Sequence, residues 1–121
     1  MNIEELRMYC LQKRGVTEVF PFDENTLTFK VLGKIFALFP LDKWEKGEGQ
    51  INLKCDPDDA LELREAYRSI VGGFHSNKKH WNTMYLYKGE LHPQLVCQLI
   101  DHSYDMVVKG LPKRIRATLF N

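Results

Sequence analysis

The sequence has no long apolar run, no paired cysteines and no strong excess of charge. No stretch approaches the roughly 20 apolar residues that a membrane helix needs, so a spanning segment is not predicted. Residues 1–5 include two acids and begin no apolar segment, which predicts that no signal peptide is present. Cys10, Cys55 and Cys97 are far apart and lack metal-ligand spacing. We therefore expect a cytoplasmic protein with reduced thiols, no metal and no cofactor.

The size and composition are those of one small globular domain. Of the 121 residues, 44% are hydrophobic and 27% are charged, which is enough apolar material for a core without disulfides. We expect residues 1–121 to form a single domain. Because the net charge is only +1, any surface that attracts polyanions must arise from local clustering of lysine and arginine.

Hydrophobic periodicity predicts the secondary structure. Strict alternation indicates strands, and apolar residues spaced by three and four indicate helices. The predicted elements are a helix from Asn2 to Gly15, strands at 27–31, 35–39 and 51–55, a helix from Asp56 whose apolar stripe reaches Ile70, a strand at 83–87, and a helix from Pro93 to Gly110. The polar stretch 40–50 is predicted to be a mobile loop. This order predicts an α+β fold, a two-layer domain with an antiparallel sheet and helices packed on one face.

Two segments concentrate positive charge. Residues 73–83 contain two lysines, two histidines, two asparagines and a tryptophan but no acid, which indicates a structured surface loop. Residues 109–116 hold four cations and no acid. Lysine and arginine bind phosphates, and side-chain amides can add hydrogen bonds, so the two segments together could form one basic patch. The predicted nucleic-acid-binding residues are Asn77, Lys78, Lys79, His80, Asn82, Lys109, Lys113, Arg114 and Arg116.

Simpler roles exist for the same residues. The lysines can be solvated, and the C-terminal cations can complement the dipole of the last helix. Asn77 and Asn82 can hold loop backbone, which is their commoner use. His75 and His80 lie five residues apart on a loop without nearby cysteines or clustered acids, so a metal site is not predicted.

Aromatic residues alternate along the strand that follows the loop. If Trp81, Tyr85 and Tyr87 were open to solvent, they could stack nucleobases. If they were packed under helices, they would belong to the core. We predict a core position for Trp81 and a more open one for the tyrosines.

A catalytic site is not predicted. Residues 102–105, His-Ser-Tyr-Asp, include the residue types of a hydrolase triad, but Ser103 lies in the apolar stripe of the last helix. Adjacent helical residues also point in different directions. We therefore expect Ser103 to be buried without a histidine partner. Cys55 lies beside a helix N-terminus, which can lower a thiol pKa, yet its strand alternation predicts an inward, unreactive side chain.

Several distinctive blocks follow one another along nearly the whole chain. They are Phe20-Pro21-Phe22, Phe29-Lys30-Val31, Gly33-Lys34-Ile35-Phe36-Ala37, Asn52-Leu53-Lys54-Cys55-Asp56-Pro57, Leu63-Arg64-Glu65, Gly73-Phe74-His75, Asn77-Lys78-Lys79-His80-Trp81-Asn82, Leu99-Ile100-Asp101-His102-Ser103-Tyr104-Asp105 and Gly110-Leu111-Pro112-Lys113. Together they resemble the MmcQ/YjbR-like family of small bacterial proteins, and the block at 77–82 is the most specific. Gly72 departs from the proline that the family often has there, which affects only the local turn.

The resemblance implies a CyaY-like fold, as in the bacterial frataxin homologue, and a DNA-binding function. Frataxin-type iron handling would need an acidic ridge on the first helix and first strand. Here Glu4 and Glu5 are accompanied by cations at positions 7, 13 and 14, so the metal chemistry is not expected to accompany the fold.

The leading prediction is a non-enzymatic module that binds DNA or another polyanion through its basic loop and basic C-terminal segment. A small-molecule or protein-interaction module of unknown ligand is the alternative, and an enzyme acting on an anionic substrate is the least favoured. An open strand face bearing Tyr85 and Tyr87 favours nucleic acid. A deep pocket lined by His75, His80 and His102 favours the other two.

Overall fold

The computed structural model describes residues 1–73 and 77–120. Five α-helices and six strands occur in the order α1, β1, β2, β3, α2, β4, α3, β5, β6, α4, α5. Their bounds are α1 Ile3–Leu11, β1 Val16–Val19, β2 Thr26–Val31, β3 Lys34–Pro40, α2 Leu41–Glu45, β4 Gln50–Lys54, α3 Pro57–Ala66, β5 Ile70–Gly72, β6 Trp81–Tyr85, α4 Pro93–Lys109 and α5 Lys113–Ala117. Short 3-10 turns follow β6 at Leu86–Lys88 and α5 at Thr118–Phe120.

The six strands form one antiparallel sheet in the order β1-β2-β3-β4-β6-β5. The predicted hairpin of β2 and β3 is confirmed, with a bulge between Phe29 and Lys30. Its two-residue turn places Leu32 at φ 48° and Gly33 at φ 87°. Two successive positive φ angles match the right-handed twist of a tight hairpin, and glycine adopts one of them without strain.

The helices cover one face of the sheet, as predicted. α4 packs over β2, β3 and β4, α1 contacts β1, and α3 contacts β5. Ser103 joins the layers: its hydroxyl donates to the Phe36 carbonyl at 2.6 Å and accepts from the Lys54 amide at 2.8 Å. Its side chain is fully buried, so the prediction of a packing residue without a histidine partner is confirmed.

The core lies between these layers. Three phenylalanines, Phe29, Phe36 and Phe39, are fully buried, and their rings pack at tilted angles. Burying one such side chain stabilises the fold by about 2 kcal/mol, so alternation along β2 and β3 is the main source of the hairpin's stability.

Three of the predicted helix caps are present, whereas α1 ends at Leu11 rather than at the predicted Gly15. Asn2 and Glu5 form a reciprocal capping box at α1. The Asp56 side chain accepts from two backbone amides at the start of α3, where Pro57 occupies the first helical position. Gly110 caps the C-terminal end of α4.

The prediction of a mobile loop at 40–50 is wrong. α2 occupies half of that stretch, and Trp44 stacks on Phe39 and donates its indole N–H to the Gln50 carbonyl at 3.0 Å. A Cβ atom at Gly49 would come within 2.8 Å of the Trp44 ring. The polar composition concealed this anchor because a single, partly buried aromatic side chain leaves no periodic signal.

Besides α2, two strands and one further helix were not predicted. β1 and β5 are the edge strands, with four and three residues, and α5 has five residues in the segment predicted as a basic tail. Elements of three to five residues are too short for a hydrophobic period to be recognised in the sequence. Ile70 belongs to β5 rather than to α3, which ends at Ala66.

Within residues 1–73 and 77–120, no helix has both the length and the apolar character required to cross a membrane.

Candidate functional site

The face of the sheet opposite the helices is open. Side chains alternate along β6, so Asn82 points under α3 while Trp81, Thr83 and Tyr85 point to the open side. Trp81 is only partly buried, so its predicted core position is wrong. Local alternation showed that these residues share a face, but packing of the helices decided which face stays uncovered.

A groove of about 1010 Å³ runs across this open face. Its floor consists of residues from β2, β3, β4 and β6, and Trp81 and Tyr85 line it about four residues apart on the same strand. At the rise of a strand, that spacing is about 13 Å. Phe22, from the β1–β2 connection, lines the same groove and is 66% exposed, so several aromatic surfaces border one cavity.

The groove has a near end around Trp81 and a far end around Tyr85. The far end holds a compact aromatic cluster. The rings of Tyr85 and Tyr87 meet edge to face with centroids 6.2 Å apart. The Lys88 ammonium lies 4.9 Å from the centre of the Tyr85 ring. Tyr87 is 46% exposed, which confirms its predicted open position, whereas Tyr85 is partly buried.

Backbone hydrogen bonds hold this cluster in place. The amides of Leu86 and Tyr87 both donate to the Gly49 carbonyl, at 2.9 and 3.2 Å. The chain then reverses at Gly89, whose φ of 75° suits glycine. These bonds fix Tyr87 beside the segment that leads into β4.

Two lysines lie on the open face beside the end of the groove around Trp81, outside the groove lining. Lys54 lies directly across from Trp81 in the pairing of β4 with β6. Lys30 pairs with Ile35, which lines the groove, so it shares the open face. Neither lysine was a predicted site residue, because a single cation within an alternating strand looks like an ordinary solvated position.

The basic loop adjoins this end. Asn77 organises it: its side-chain oxygen accepts from the Lys79 amide at 2.9 Å, and its carbonyl accepts from the amides of His80 and Trp81. Lys78 and Lys79 are exposed, and the Lys78 stem lies over Gly72 of β5. The predicted structured surface loop is therefore present from Asn77 onward, whereas residues 74–76 lie outside the described part.

Arg64 on α3 holds the loop from below. Its guanidinium donates to the Asn82 side-chain oxygen at 2.6 Å, to the Trp81 carbonyl at 3.3 Å and to the Lys78 carbonyl. Asn82 is fully buried and also donates to the Ala60 carbonyl. Asn82 must therefore be removed from the predicted ligand contacts, and its role is to position the loop.

The basic C-terminal segment lies elsewhere. Leu119, directly after α5, accepts a hydrogen bond from the Arg14 side chain and packs against Gly15, at the β1 edge. The basic loop joins β5 to β6 at the opposite edge. Both lie at the same end of the sheet, but β1 and β6 are separated by four strand spacings, about 19 Å. The two segments are therefore not adjacent, and Lys30 and Lys54 lie between them on the open face.

Acidic residues border the loop on the helix side. The Cys55 amide donates to the His80 carbonyl at 2.7 Å, which places the start of α3 beside the loop. Asp56, Asp58 and Asp59 occupy that start. The helix side of the loop therefore carries acids, whereas Lys54 lies on the open side.

Neither His80 nor His102 lines the groove. His102 accepts from the Asp56 amide at 3.1 Å, the His80 Nδ1 atom is buried with no hydrogen-bond partner there, and His75 lies outside that part. No group of three or more metal-ligating side chains occurs in the described ranges.

The cysteines are unpaired and largely unreactive. Burial raises the pKa of Cys10 to about 12 and that of Cys55 to about 11. Thiols with such pKa values carry almost no thiolate at neutral pH, so the helix N-terminus beside Cys55 does not activate it.

Sequence comparison identifies the family. A family model described as YjbR matches residues 11–106. The chain belongs to the YjbR family. It is 38% identical over 111 residues to the uncharacterized protein YbdF of Escherichia coli O157:H7, covering 92% of this chain and 88% of the relative. It is 33% identical over 119 residues to the uncharacterized protein YjbR of E. coli K12, covering 98% of each.

Two crystal structures share the fold. DR2400 from Deinococcus radiodurans, described with the domain DUF419, matches with a TM-score of 0.87 at 37% identity, over 98% of this chain and 87% of that one. A Pseudomonas syringae protein matches with a TM-score of 0.71 at 25% identity, over 88% of this chain and 98% of that one. The predicted family and α+β fold are confirmed.

Proposed function

We propose that this protein binds nucleic acid on the open face of its sheet, without catalysing a reaction, and that it prefers single strands. One observation carries the proposal: Trp81, Tyr85 and Tyr87 line one groove together with Lys88, and Lys54 lies across from Trp81 on the same face of the sheet. Aromatic side chains on an open sheet stack on bases, and nearby cations neutralise the phosphates.

The shape of the site favours single strands over duplex. In a duplex the base faces are stacked on one another and only their edges are accessible. The aromatic rings here lie within a groove, so they can meet a base face only if the base is unpaired. A duplex could still contact the exposed lysines of the loop, through charge alone.

Charge supports the same placement. Lys54 stands across from Trp81, and Lys78 and Lys79 precede that strand, so phosphates next to a base on Trp81 meet three cations. Lys88 adds a fourth beside Tyr85. The C-terminal cations contact the ligand only when the nucleic acid is long enough to reach the β1 edge of the sheet. These cations are Lys109, Lys113, Arg114 and Arg116.

The alternative is a free small molecule. The groove volume is close to the upper end of the range of small-molecule sites, about 300–1,000 Å³. A mononucleotide would use the same rings and lysines, so the binding assay must compare it with oligonucleotides.

The proposal also includes a cytoplasmic location, which the unpaired cysteines of the sequence favour.

The test is a salt titration of binding by fluorescence anisotropy, with a short single strand, a duplex of equal length and a mononucleotide. If the four lysines each neutralise one phosphate, log K for the single strand should fall against log salt with a slope of about −3. Tighter binding to the duplex, or no binding to single strands at low salt, would overturn the proposal.

Variants locate the site. Trp81→Ala removes a stacking surface and should weaken single-strand binding by about 5- to 150-fold, the equivalent of 1–3 kcal/mol. Lys78→Ala with Lys79→Ala should flatten the salt slope by about 1.4 units. Lys109→Ala with Lys113→Ala removes equal charge at the other edge. This variant should keep its affinity for short oligonucleotides and lose affinity only for longer ones. An equal loss of affinity for short oligonucleotides would show that the binding site is not in the groove.

A further inference from the structure

The two ends of the groove differ in charge. The near end, around Trp81, has Lys30 and Lys54 on the strands. The far end, around Tyr85, is lined by two carboxylates, Asp42 and Glu48, and by two lysines, Lys43 and Lys88. Because it offers hydrogen-bond acceptors as well as cations, the far end can contact the base of a nucleotide as well as its phosphate.

Only one of these carboxylates is available to a ligand. The Asn25 side chain hydrogen-bonds the Asp42 carboxylate and lowers its pKa. Glu48 is exposed, and within residues 1–73 and 77–120 its carboxylate makes no hydrogen bond or ion pair. Glu48 is therefore an acceptor without a partner in the groove wall.

The backbone places Glu48 beside the tyrosines. Its amide donates to the Lys43 carbonyl at 2.8 Å, and the next residue, Gly49, accepts from the Tyr87 amide. Gln50 then pairs with Tyr85 in the sheet. A planar group stacked on Tyr85 would thus have its edge within reach of Glu48.

The hydrogen-bonding capacity of an ionised carboxylate determines which nucleobase edge it can bind. It accepts hydrogen bonds and donates none, so it matches two adjacent N–H donors. Guanine presents such a pair, N1–H and the 2-amino group. In adenine and cytosine the amino group lies next to an acceptor nitrogen. In thymine and uracil a single N–H lies between two carbonyl oxygens.

We infer that the far end of the groove is a base-reading subsite for guanine, with Tyr85 as the stacking surface and Glu48 as the acceptor for its Watson–Crick edge. The inference rests on the proposed function, since it names the base that the same groove selects. The exposed Lys88 side chain, whose ammonium lies 4.9 Å from the centre of the Tyr85 ring, would move off that ring when the base stacks and contact the following phosphate.

Short thymine oligonucleotides with one central substitution test this inference by anisotropy. Guanine at the centre should bind about tenfold tighter than adenine, which stacks comparably but lacks the paired donors. Inosine lacks the 2-amino group and should lose most of this preference. Glu48→Gln should remove the preference and leave affinity for the thymine strand equal or higher, because a negative charge is lost.

Glu62→Gln is the matched control, since Glu62 is exposed on α3, outside the groove. It should bind as wild type. Equal affinity for guanine and adenine in wild type, or a guanine preference that survives Glu48→Gln, would overturn the subsite while leaving nucleic-acid binding intact. Absence of all oligonucleotide binding would instead overturn the proposed function. Guanosine monophosphate binding as tightly as the oligonucleotide would support the subsite and assign it to free nucleotides.

Discussion

Replacing Arg64 with alanine tests how the basic loop is positioned. The Arg64 guanidinium bonds the Asn82 side-chain oxygen, the Trp81 carbonyl and the Lys78 carbonyl. In Arg64→Ala the Lys78 carbonyl can be rehydrated because Lys78 is exposed, but the Asn82 oxygen is fully buried. A buried acceptor without a partner costs about 1–3 kcal/mol, so we expect the variant to lose about 2 kcal/mol of unfolding free energy.

Urea unfolding followed by circular dichroism measures this loss. With a slope of about 1–3 kcal/mol per molar urea, a loss of 2 kcal/mol lowers the midpoint by about 1 M. Arg68→Ala is the matched control, since the Arg68 side chain makes no hydrogen bond within the described residues. Its free energy should stay within about 0.5 kcal/mol of wild type.

A double-mutant cycle with Asn82→Ala isolates the interaction. Once Asn82 is removed, Arg64→Ala should cost less by about 1.5–2 kcal/mol, within the range for a hydrogen bond to a charged group. Strict additivity of the two single losses, or no destabilisation by Arg64→Ala, would refute the reasoning. A stable Arg64→Ala protein with normal oligonucleotide affinity would also show that the loop does not need this anchor.

The remaining predictions concern stability and reactivity. Ser103→Ala leaves a buried amide and a buried carbonyl unpaired and should cost about 2–4 kcal/mol in urea unfolding; wild type should not react with a fluorophosphonate, and a label lost in Ser103→Ala would contradict this. Gly49→Ala should cost about 1–3 kcal/mol and change Trp44 fluorescence, because the added methyl meets the ring. Cys97 should react with a thiol reagent before Cys10, whose burial raises its pKa to about 12; equal rates in the folded protein would contradict the buried position.

Local patterns were sufficient for much of the fold. Alternation at 27–31 and 35–39 identified the hairpin of β2 and β3, and Asp56-Pro57 identified the start of α3, because each depends on neighbours along the chain. The edge strands β1 and β5 escaped detection, since a strand of three or four residues is stabilised by its partner rather than by its own pattern.

The candidate site was only partly predictable. The composition of residues 77–80 indicated a presented basic loop, and the tyrosines after it were expected to be open. Trp81 was misplaced, and Arg64, Lys54 and Glu48 were missed. Each of these three is an ordinary charged residue in its own element, and becomes part of a site only through strands and helices distant in the chain.

The sequence by itself determined the helix caps, the hairpin, the buried stripe that contains Ser103 and the family. Tertiary structure alone decided which face of the sheet the helices cover, and therefore that Trp81 and Tyr85 line a groove. It also separated the two basic segments by four strand spacings. The physical reason is that periodicity shows which residues share a face, whereas covering that face depends on contacts such as Ser103 with Phe36, 67 residues apart in the chain.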